Sequence, residues 1–206
     1  MSDDIIVDKR VHRSKAAFKK ALIALLKGSP LPSITVTDII KQSGYSRAAF
    51  YSYYKNKSDF LTSIFNEEVQ NYVDIIYDTI SKRNGILLES TTYEPALNFF
   101  EYVYENRELY RFILSSNLPG QNLDSFCGKA YNEFIKKIDI ELFKETPSFD
   151  IDFYFYCYTY LYMIFIKYWI KSDFKYSPKY MANQVAILNT LRVSKVKPKN
   201  PVKNLK

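Results

Sequence analysis

Residues 153–166 constrain the fold of this chain more than any other segment. These fourteen residues include no charged side chain, and they lie between Asp152 and Lys167. A membrane-spanning helix needs about 20 apolar residues, and the many tyrosine hydroxyls of this segment would lack hydrogen-bond partners in a bilayer. We therefore do not expect the chain to cross a membrane. A helix that is apolar on every side is instead typical of a buried position in a protein core.

The rest of the chain also favours helices. It contains 5 glycines and 8 prolines in 206 residues, which leaves little room for the many tight turns of an all-β fold. Apolar periodicity and boundary signals therefore predict an all-α fold. The predicted helices cover residues 15–27, 35–43, 47–54, 57–82, 94–105, 107–116, 123–144, 150–172 and 177–192.

Capping residues predict how the first three helices begin and end. Ser14 is expected to cap the first helix, and Gly28 to end it. Residues 35–38 (Thr-Val-Thr-Asp) resemble a capping box at the start of the second helix, Gly44 ends that helix, and Ser46 caps the third. Two short helices joined by a glycine-containing turn, with another helix ahead of them, are the elements of a helix-turn-helix.

Charge is distributed unevenly along the chain. Residues 1–60 carry 11 Lys and Arg against 5 Asp and Glu, residues 61–192 carry 13 against 17, and residues 193–206 carry 5 against 0. We predict a helix-turn-helix DNA-binding domain at 1–61, a larger helical domain at 62–192 and a basic tail at 193–206. A basic module beside an acidic body fits a polyanionic partner, and a charge bias that only improves solubility is the alternative.

The third helix has two contrasting sides. At about 100° per residue, Phe50 and Tyr54 fall on one side, which we expect to be buried. The opposite side presents small or neutral residues, and hydrogen-bonding side chains flank it. This arrangement suits a helix that lies in the major groove of DNA, with the flanking groups at phosphates or base edges.

The residues around this helix resemble the DNA-binding signature of the TetR family of transcription regulators. The resemblance lies in residues 34–40 and 44–61 and covers about 50 residues, from Arg13 to Leu61. It implies that Arg47 contacts bases or backbone, that Tyr51 and Tyr53 contact phosphate, and that Lys57 anchors the strand at a helix N-terminus. The predicted DNA-binding residues are Thr35, Thr37, Tyr45, Ser46, Arg47, Ala48, Ala49, Tyr51, Ser52, Tyr53 and Lys57.

Two positions depart from the family pattern. Ala49 stands where a threonine is common, and Ser52 where a basic residue is common. With fewer polar groups available to read bases, we hypothesise that Ala48 and Ala49 pack on thymine methyl groups while the flanking tyrosines fix the register.

In the resembling family, the last two long helices pair with their copies in a four-helix bundle, which implies a homodimer. One face of these helices borders a ligand cavity, so the resemblance also implies an effector, which we expect to be small and aromatic or apolar. Simple core packing of the candidate rings is an equally open alternative. The candidate ligand-binding residues are Phe100, Tyr104, Phe112, Tyr131, Tyr158, Tyr162 and Trp169.

Nothing in the sequence predicts an enzyme. The chain has one histidine, His12, and Cys127 and Cys157 do not have metal-ligand spacing. No phosphate-binding loop or nucleophile motif is evident, so we expect no metal and no cofactor. The N-terminus lacks the pattern of a signal peptide, which favours a cytoplasmic location.

The sequence thus predicts a transcription regulator, most simply a ligand- or partner-responsive repressor that binds a palindromic operator in double-stranded DNA. Some members of the resembling family answer to a protein partner instead of a small molecule. The pattern of the first helix also resembles a subgroup that includes the dihydroxyacetone-kinase activator, so coactivation through a protein partner is open. The alternative is a helical coactivator or interaction module that does not read an operator itself.

Overall fold

The computed structural model describes residues 2–81, 93–115, 121–137 and 150–190. These segments are helical apart from short connections, in agreement with the predicted all-α class. The helices are α1 (Ser2–Leu26), α2 (Val36–Ser43), α3 (Arg47–Tyr51), α4 (Lys57–Ser81), α5 (Tyr93–Glu105), α6 (Arg107–Ser115), α7 (Leu123–Lys137), α8 (Ile151–Lys171) and α9 (Pro178–Thr190). A short 3-10 turn, Leu31–Ser33, lies between α1 and α2.

The first three helices form a small unit around aromatic and aliphatic side chains. Phe18 and Leu22 of α1, Ile39 of α2 and Phe50 of α3 have no exposed surface. Ile34, just ahead of α2, is buried with them. Burying these side chains removes apolar surface from water, which is the main favourable contribution to packing. The predicted three-helix arrangement is therefore confirmed.

Two predicted helix ends in this unit are wrong. The first helix begins at Ser2 and not after Ser14. The Ser14 hydroxyl does not cap a helix, because it donates to the backbone carbonyls of Arg10 and Val11 within α1, as a serine inside a helix often does. The third helix ends at Tyr51, three residues earlier than predicted, and a turn follows it.

The larger part of the chain continues the same core. One cluster of buried side chains extends from Phe18 in α1 to Val185 in α9. Within it, α5 packs along α9, and α7 packs against both α4 and α8. The ends predicted at residues 82, 116, 138–144 and 191–192, and the predicted tail at 193–206, lie outside the described residues.

Helix α8 is covered on one side only. Tyr162, Ile166 and Trp169 are fully buried, whereas Phe153 is 66% exposed and Tyr168 57% exposed. The sequence predicted that this helix needs packing partners on several faces. Within the described part of a single chain, α8 has packing partners on one face only. None of the described helices is long and apolar enough to cross a membrane.

Candidate nucleic-acid interface

Hydrogen bonds fix the start of α2 and the turn that follows it. The Thr35 hydroxyl accepts from the Asp38 backbone N–H at 3.2 Å, and the Asp38 carboxylate accepts from the Thr35 backbone N–H at 2.8 Å, which completes the predicted capping box. The Thr35 hydroxyl also donates to the Asp38 carboxylate at 2.6 Å, and this bond, together with the one from the Thr35 backbone N–H, lowers the pKa of Asp38 below its usual value. At the other end Gly44 has a φ of 72°, in the left-handed region that glycine adopts without a Cβ clash.

Helix α3 is held at both its first turn and its inner side. The Ser46 hydroxyl accepts from the Ala49 N–H at 3.1 Å, as the predicted N-cap. The ring of Phe50 contacts the rings of Phe18 at 5.2 Å and Phe60 at 5.4 Å between centroids, both at steep interplanar angles. Such edge-to-face contacts fix the rotation of α3 about its axis, so Phe50 faces inward as predicted.

The opposite side of α3 faces solvent. Arg47, Ala48, Tyr51 and Ser52 are exposed, and Ala49 is partly exposed. The Arg47 guanidinium lies 5.4 Å from the centre of the Tyr51 ring, a cation–π distance. The outer surface therefore has a small, uncharged centre beside a cationic and aromatic flank. Tyr45 and Ser46, which precede α3, are also exposed.

Tyr53 lies in a different environment from Tyr51. It follows α3 in the turn and is partly buried, and its hydroxyl shares a hydrogen bond with the Ser14 hydroxyl at 3.0 Å. The Lys15 ammonium lies 5.6 Å from the centre of the same ring. Tyr53 thus joins the end of α3 to α1, a contact that helix periodicity did not reveal because Ser14 lies 39 residues earlier.

Lys57 also has a partner within the chain. Its ammonium donates to the Leu31 carbonyl at 2.7 Å, which links the start of α4 to the 3-10 turn. Burial lowers the pKa of Lys57, and the Asp38 carboxylate opposes that effect. An ammonium has three N–H donors, so this bond leaves donors for a phosphate. Thr37, in the first turn of α2, is exposed.

Two acidic groups near this surface, Asp38 and Asp59, are engaged in capping. Asp38 accepts hydrogen bonds from Thr35, and the Asp59 carboxylate accepts from the Lys55 backbone N–H at 2.8 Å. In contrast, the side chains of Arg10, Arg13 and Lys55 are exposed. A surface with exposed cations and engaged carboxylates attracts a polyanion.

The candidate ligand-binding rings lie in the larger part of the chain, and most of them touch one another. Phe100 stacks on Tyr162 at 6.1 Å and contacts Trp169 at 5.7 Å, and all three are fully buried. Tyr104 stacks on Trp169 and is 39% exposed. Tyr158 contacts Tyr162 at 5.1 Å.

The remaining two candidates, Phe112 and Tyr131, lie on α6 and α7. Phe112 is buried in α6, and Tyr131 contacts Tyr156 on α8 at 5.8 Å. One cleft, of about 380 Å³ between α4 and α5, is lined by other residues, among them Thr79, Asn98 and Tyr102. A ligand among the candidate rings would require them to separate, and their role stays a prediction.

Comparison with known proteins finds similarity to transcription regulators. Residues 90–190 match the TetR family model described as the transcriptional regulator C-terminal region. The chain is 25% identical over 174 residues to an uncharacterised HTH-type transcriptional regulator, YxbF, of Bacillus subtilis (strain 168). That alignment covers 84% of this chain, and the chain spans 43% of the length of this curated relative.

Several solved structures have the same fold. The fatty acid degradation regulator FadR from Bacillus halodurans has a TM-score of 0.66 at 18% identity, over 85% of this chain and 94% of that one. A TetR transcriptional regulator from Streptococcus agalactiae 2603V has a TM-score of 0.54 at 18% identity, over 90% and 98%. The dihydroxyacetone kinase operon activator DhaS has a TM-score of 0.54 at 19% identity, over 86% and 94%.

Proposed function

This chain belongs to the TetR family of transcription regulators, and on that premise we propose that it reads a palindromic operator as a homodimer. The family consists of regulators and not of enzymes. We further propose that the chain represses transcription and that a ligand or a protein partner relieves the repression.

The observation that carries this proposal is the outward side of α3. Its centre, Ala48 and Ser52, is small, and its flank carries Arg47 and Tyr51. A small centre allows the helix axis to approach the base edges closely, while the flanking groups reach phosphates or bases. A solvated helix without a partner more often carries long charged side chains at such central positions.

The interior contacts support the same reading. The inner side of α3 is fixed by Phe50 against Phe18 and Phe60, so the outer side is presented in one orientation. Exposed Arg10, Arg13 and Lys15 extend the positive surface along α1. Cations at such positions contact phosphates and contribute affinity that is independent of sequence.

The uncovered side of α8 and α9 supports the homodimer. Apolar side chains are exposed along both helices: Phe153, Tyr156, Ile164, Tyr168, Tyr180, Ile187 and Leu188. We call this surface the apolar stripe. Tyr168, Tyr180, Ile187 and Leu188 of this stripe line one cleft. An exposed apolar surface of this kind marks an interaction site, and a second copy of the chain would cover it with an identical surface about a two-fold axis.

A symmetric pair gives a mechanism for regulation. Two copies of α3 reach successive major grooves on one face of the duplex when their centres lie one helical turn, about 34–36 Å, apart. An effector shifts this equilibrium only if it prefers one arrangement over the other. We propose a small aromatic or apolar effector among the rings of Phe100, Tyr104 and Trp169, and a protein partner is the second candidate.

Selection of bound sequences from a random duplex pool tests the operator proposal. We expect a recovered palindrome whose half-sites are 10–10.5 base pairs, or a multiple of that, apart. Affinity for the recovered duplex should fall steeply as salt rises, with a log–log slope of about −0.9 for each phosphate contact. An interaction module without operator recognition would enrich no sequence and show no duplex affinity to titrate.

A further inference from the structure

A fully buried carboxylate lies where the helix-turn-helix meets the rest of the chain. Among the described residues, Glu68 of α4 is the charged side chain with no exposed surface. Its carboxylate accepts from the Lys19 ammonium of α1 at 2.6 Å and from the Tyr102 hydroxyl of α5 at 3.0 Å. The Asn71 amide donates to the Glu68 carboxylate at 3.3 Å and to the Tyr102 oxygen at 2.7 Å.

The buried Glu68 carboxylate has a charged partner and hydrogen-bond donors, which reduce the free-energy cost of its burial. An unpaired buried carboxylate is strongly unfavourable, and partners that are charged or donate hydrogen bonds offset that cost. Burial acts to lower the pKa of Lys19, but Glu68 and Glu67 together raise it above its usual value. Burial and the nearby Glu68 carboxylate raise the pKa of Tyr102. Lys19 therefore stays cationic and Tyr102 stays a hydrogen-bond donor.

The two ends of this group lead to different parts of the molecule. Lys19 follows Phe18, whose ring is the packing partner of Phe50 on the recognition helix α3. Tyr102 lies on α5 and lines the α4–α5 cleft of about 380 Å³. Helix α5 in turn packs along α9, which bears part of the apolar stripe.

We propose that Lys19, Glu68 and Tyr102 form a coupling link that sets the position of α1, and with it α3, according to the state of α5. A displacement of α1 away from α4 would strip the buried Glu68 of its ammonium partner. Interior ion pairs resist gradual stretching, because the attraction is strong at contact and no water replaces the lost partner. The link thus favours two arrangements, engaged and broken, over a continuum of intermediates.

Hydrogen exchange tests the link, with the selected operator duplex as the probe; this arm rests on the proposed function. Coupling between sites is reciprocal, so duplex binding at α3 should slow amide exchange in α5. We expect a change of at least about fivefold, the lower end of typical coupling. Tyr102→Phe, which removes only the hydroxyl, and Glu68→Gln should abolish the α5 change while α3 remains protected by the duplex.

Asp74→Asn is the matched control. Asp74 also lies on α4, also pairs with a lysine on another helix, Lys137 of α7, and also loses its charge by the change to an amide. The partners of Asp74 among the described residues are Gln70 on α4 and Lys137 on α7, so the slowing of exchange in α5 should persist in this variant. The proposal would be overturned if duplex binding slowed amide exchange in α5 equally in Tyr102→Phe and in the unmodified protein. It would also be overturned if the duplex bound without changing exchange in α5.

A second arm needs no DNA. Leu22→Ala loosens α1 by creating a cavity at a fully buried position. Leu22→Ala should speed amide exchange in α5 when Tyr102 is intact, and this effect should vanish when Tyr102→Phe is also present. If no duplex binds but this arm gives the expected result, the operator proposal fails and the link stands. If Leu22→Ala has the same effect on α5 with and without the Tyr102 hydroxyl, the link is refuted.

Discussion

Tyr53 and Tyr54 are neighbours in sequence, but their hydroxyl groups lie in different surroundings. Tyr53 shares a hydrogen bond with Ser14, whereas Tyr54 is 5% exposed and packs its ring against Phe50 and Phe60. Burial raises the pKa of Tyr54 to about 12. Both residues were predicted to lie within one helix, but α3 ends at Tyr51 and both lie in the turn region beyond it.

The raised pKa of Tyr54 predicts a loss of stability at high pH. A tyrosine in the unfolded chain ionises near pH 10, while folded Tyr54 stays protonated up to about pH 12. The stabilising contribution is therefore complete below pH 10 and is lost as the pH rises toward 12. Urea midpoints measured from pH 9 to 11.5 should fall less steeply for Tyr54→Phe than for the unmodified protein. Parallel curves would contradict the assignment.

Ala48 allows a test of how α3 reads bases. If its methyl group packs on a thymine methyl, replacing that thymine by uracil should weaken binding by about 0.8 kcal/mol, or about fourfold in Kd. In Ala48→Gly the two duplexes should bind with nearly equal affinity, because the protein methyl group is already gone. Ala24→Gly, at an exposed position of α1, is the control for helix loosening. A thymine preference that survives in Ala48→Gly would refute the contact.

At the scale of elements, the turn between α2 and α3 sets the geometry of the helix-turn-helix. Gly44 has a φ of 72°, and a Cβ added there would meet no neighbouring atom within 4 Å. Gly44→Ala should therefore destabilise the fold by about 1–2 kcal/mol through backbone strain alone. Gly28→Ala also finds open space, without the left-handed φ, and should leave stability unchanged or slightly raised. Urea unfolding distinguishes the two, and equal effects would contradict this explanation.

Helix ends were predicted correctly where the residue favours one local structure, and missed where the same residue fits both a helix end and a helix interior. Gly44 and the pair Thr35 and Asp38 act as predicted, because a left-handed turn and a reciprocal cap each have a specific residue signature. Ser14 can cap a helix or bond within one, and it does the latter. No glycine or proline precedes it from residue 2, so nothing in the sequence stops α1 from extending to Ser2.

At the scale of the whole molecule, the all-α class and the order of the domains could be predicted, but the buried link could not. Glu68 follows Glu67 in a helix, and two adjacent glutamates predict a solvent-exposed helix face. Its burial depends on Lys19, which lies 49 residues earlier, and on Tyr102 in α5. A single sequence contains no local signal for a partner at that separation, since the three helices must first pack.

The apolar stripe predicts the assembly state of the whole protein. Ile164 on α8 is 54% exposed and lies in the stripe, whereas Ile135 on α7 is 37% exposed and does not. If a second copy covers the stripe, Ile164→Lys would bury an unpaired charge at the interface, which is strongly unfavourable, and the protein should sediment as a monomer. Ile135→Lys, which adds the same charge elsewhere, should remain dimeric.

Cys157 provides an independent readout of the same interface without a mutation. It is exposed in the single chain and lies on α8, while Cys127 is buried, and burial raises the pKa of the Cys127 thiol to about 12. A thiol reagent should therefore modify Cys157 first. Its modification should slow as the protein concentration rises through the dimer range, and in Ile164→Lys the rate should be fast at every concentration. Two results together would contradict this interface: a modification rate of Cys157 that does not depend on protein concentration, and an Ile164→Lys variant that stays dimeric. They would place the subunit interface on another surface. The basis for two copies of α3 held one helical turn apart would then be lost.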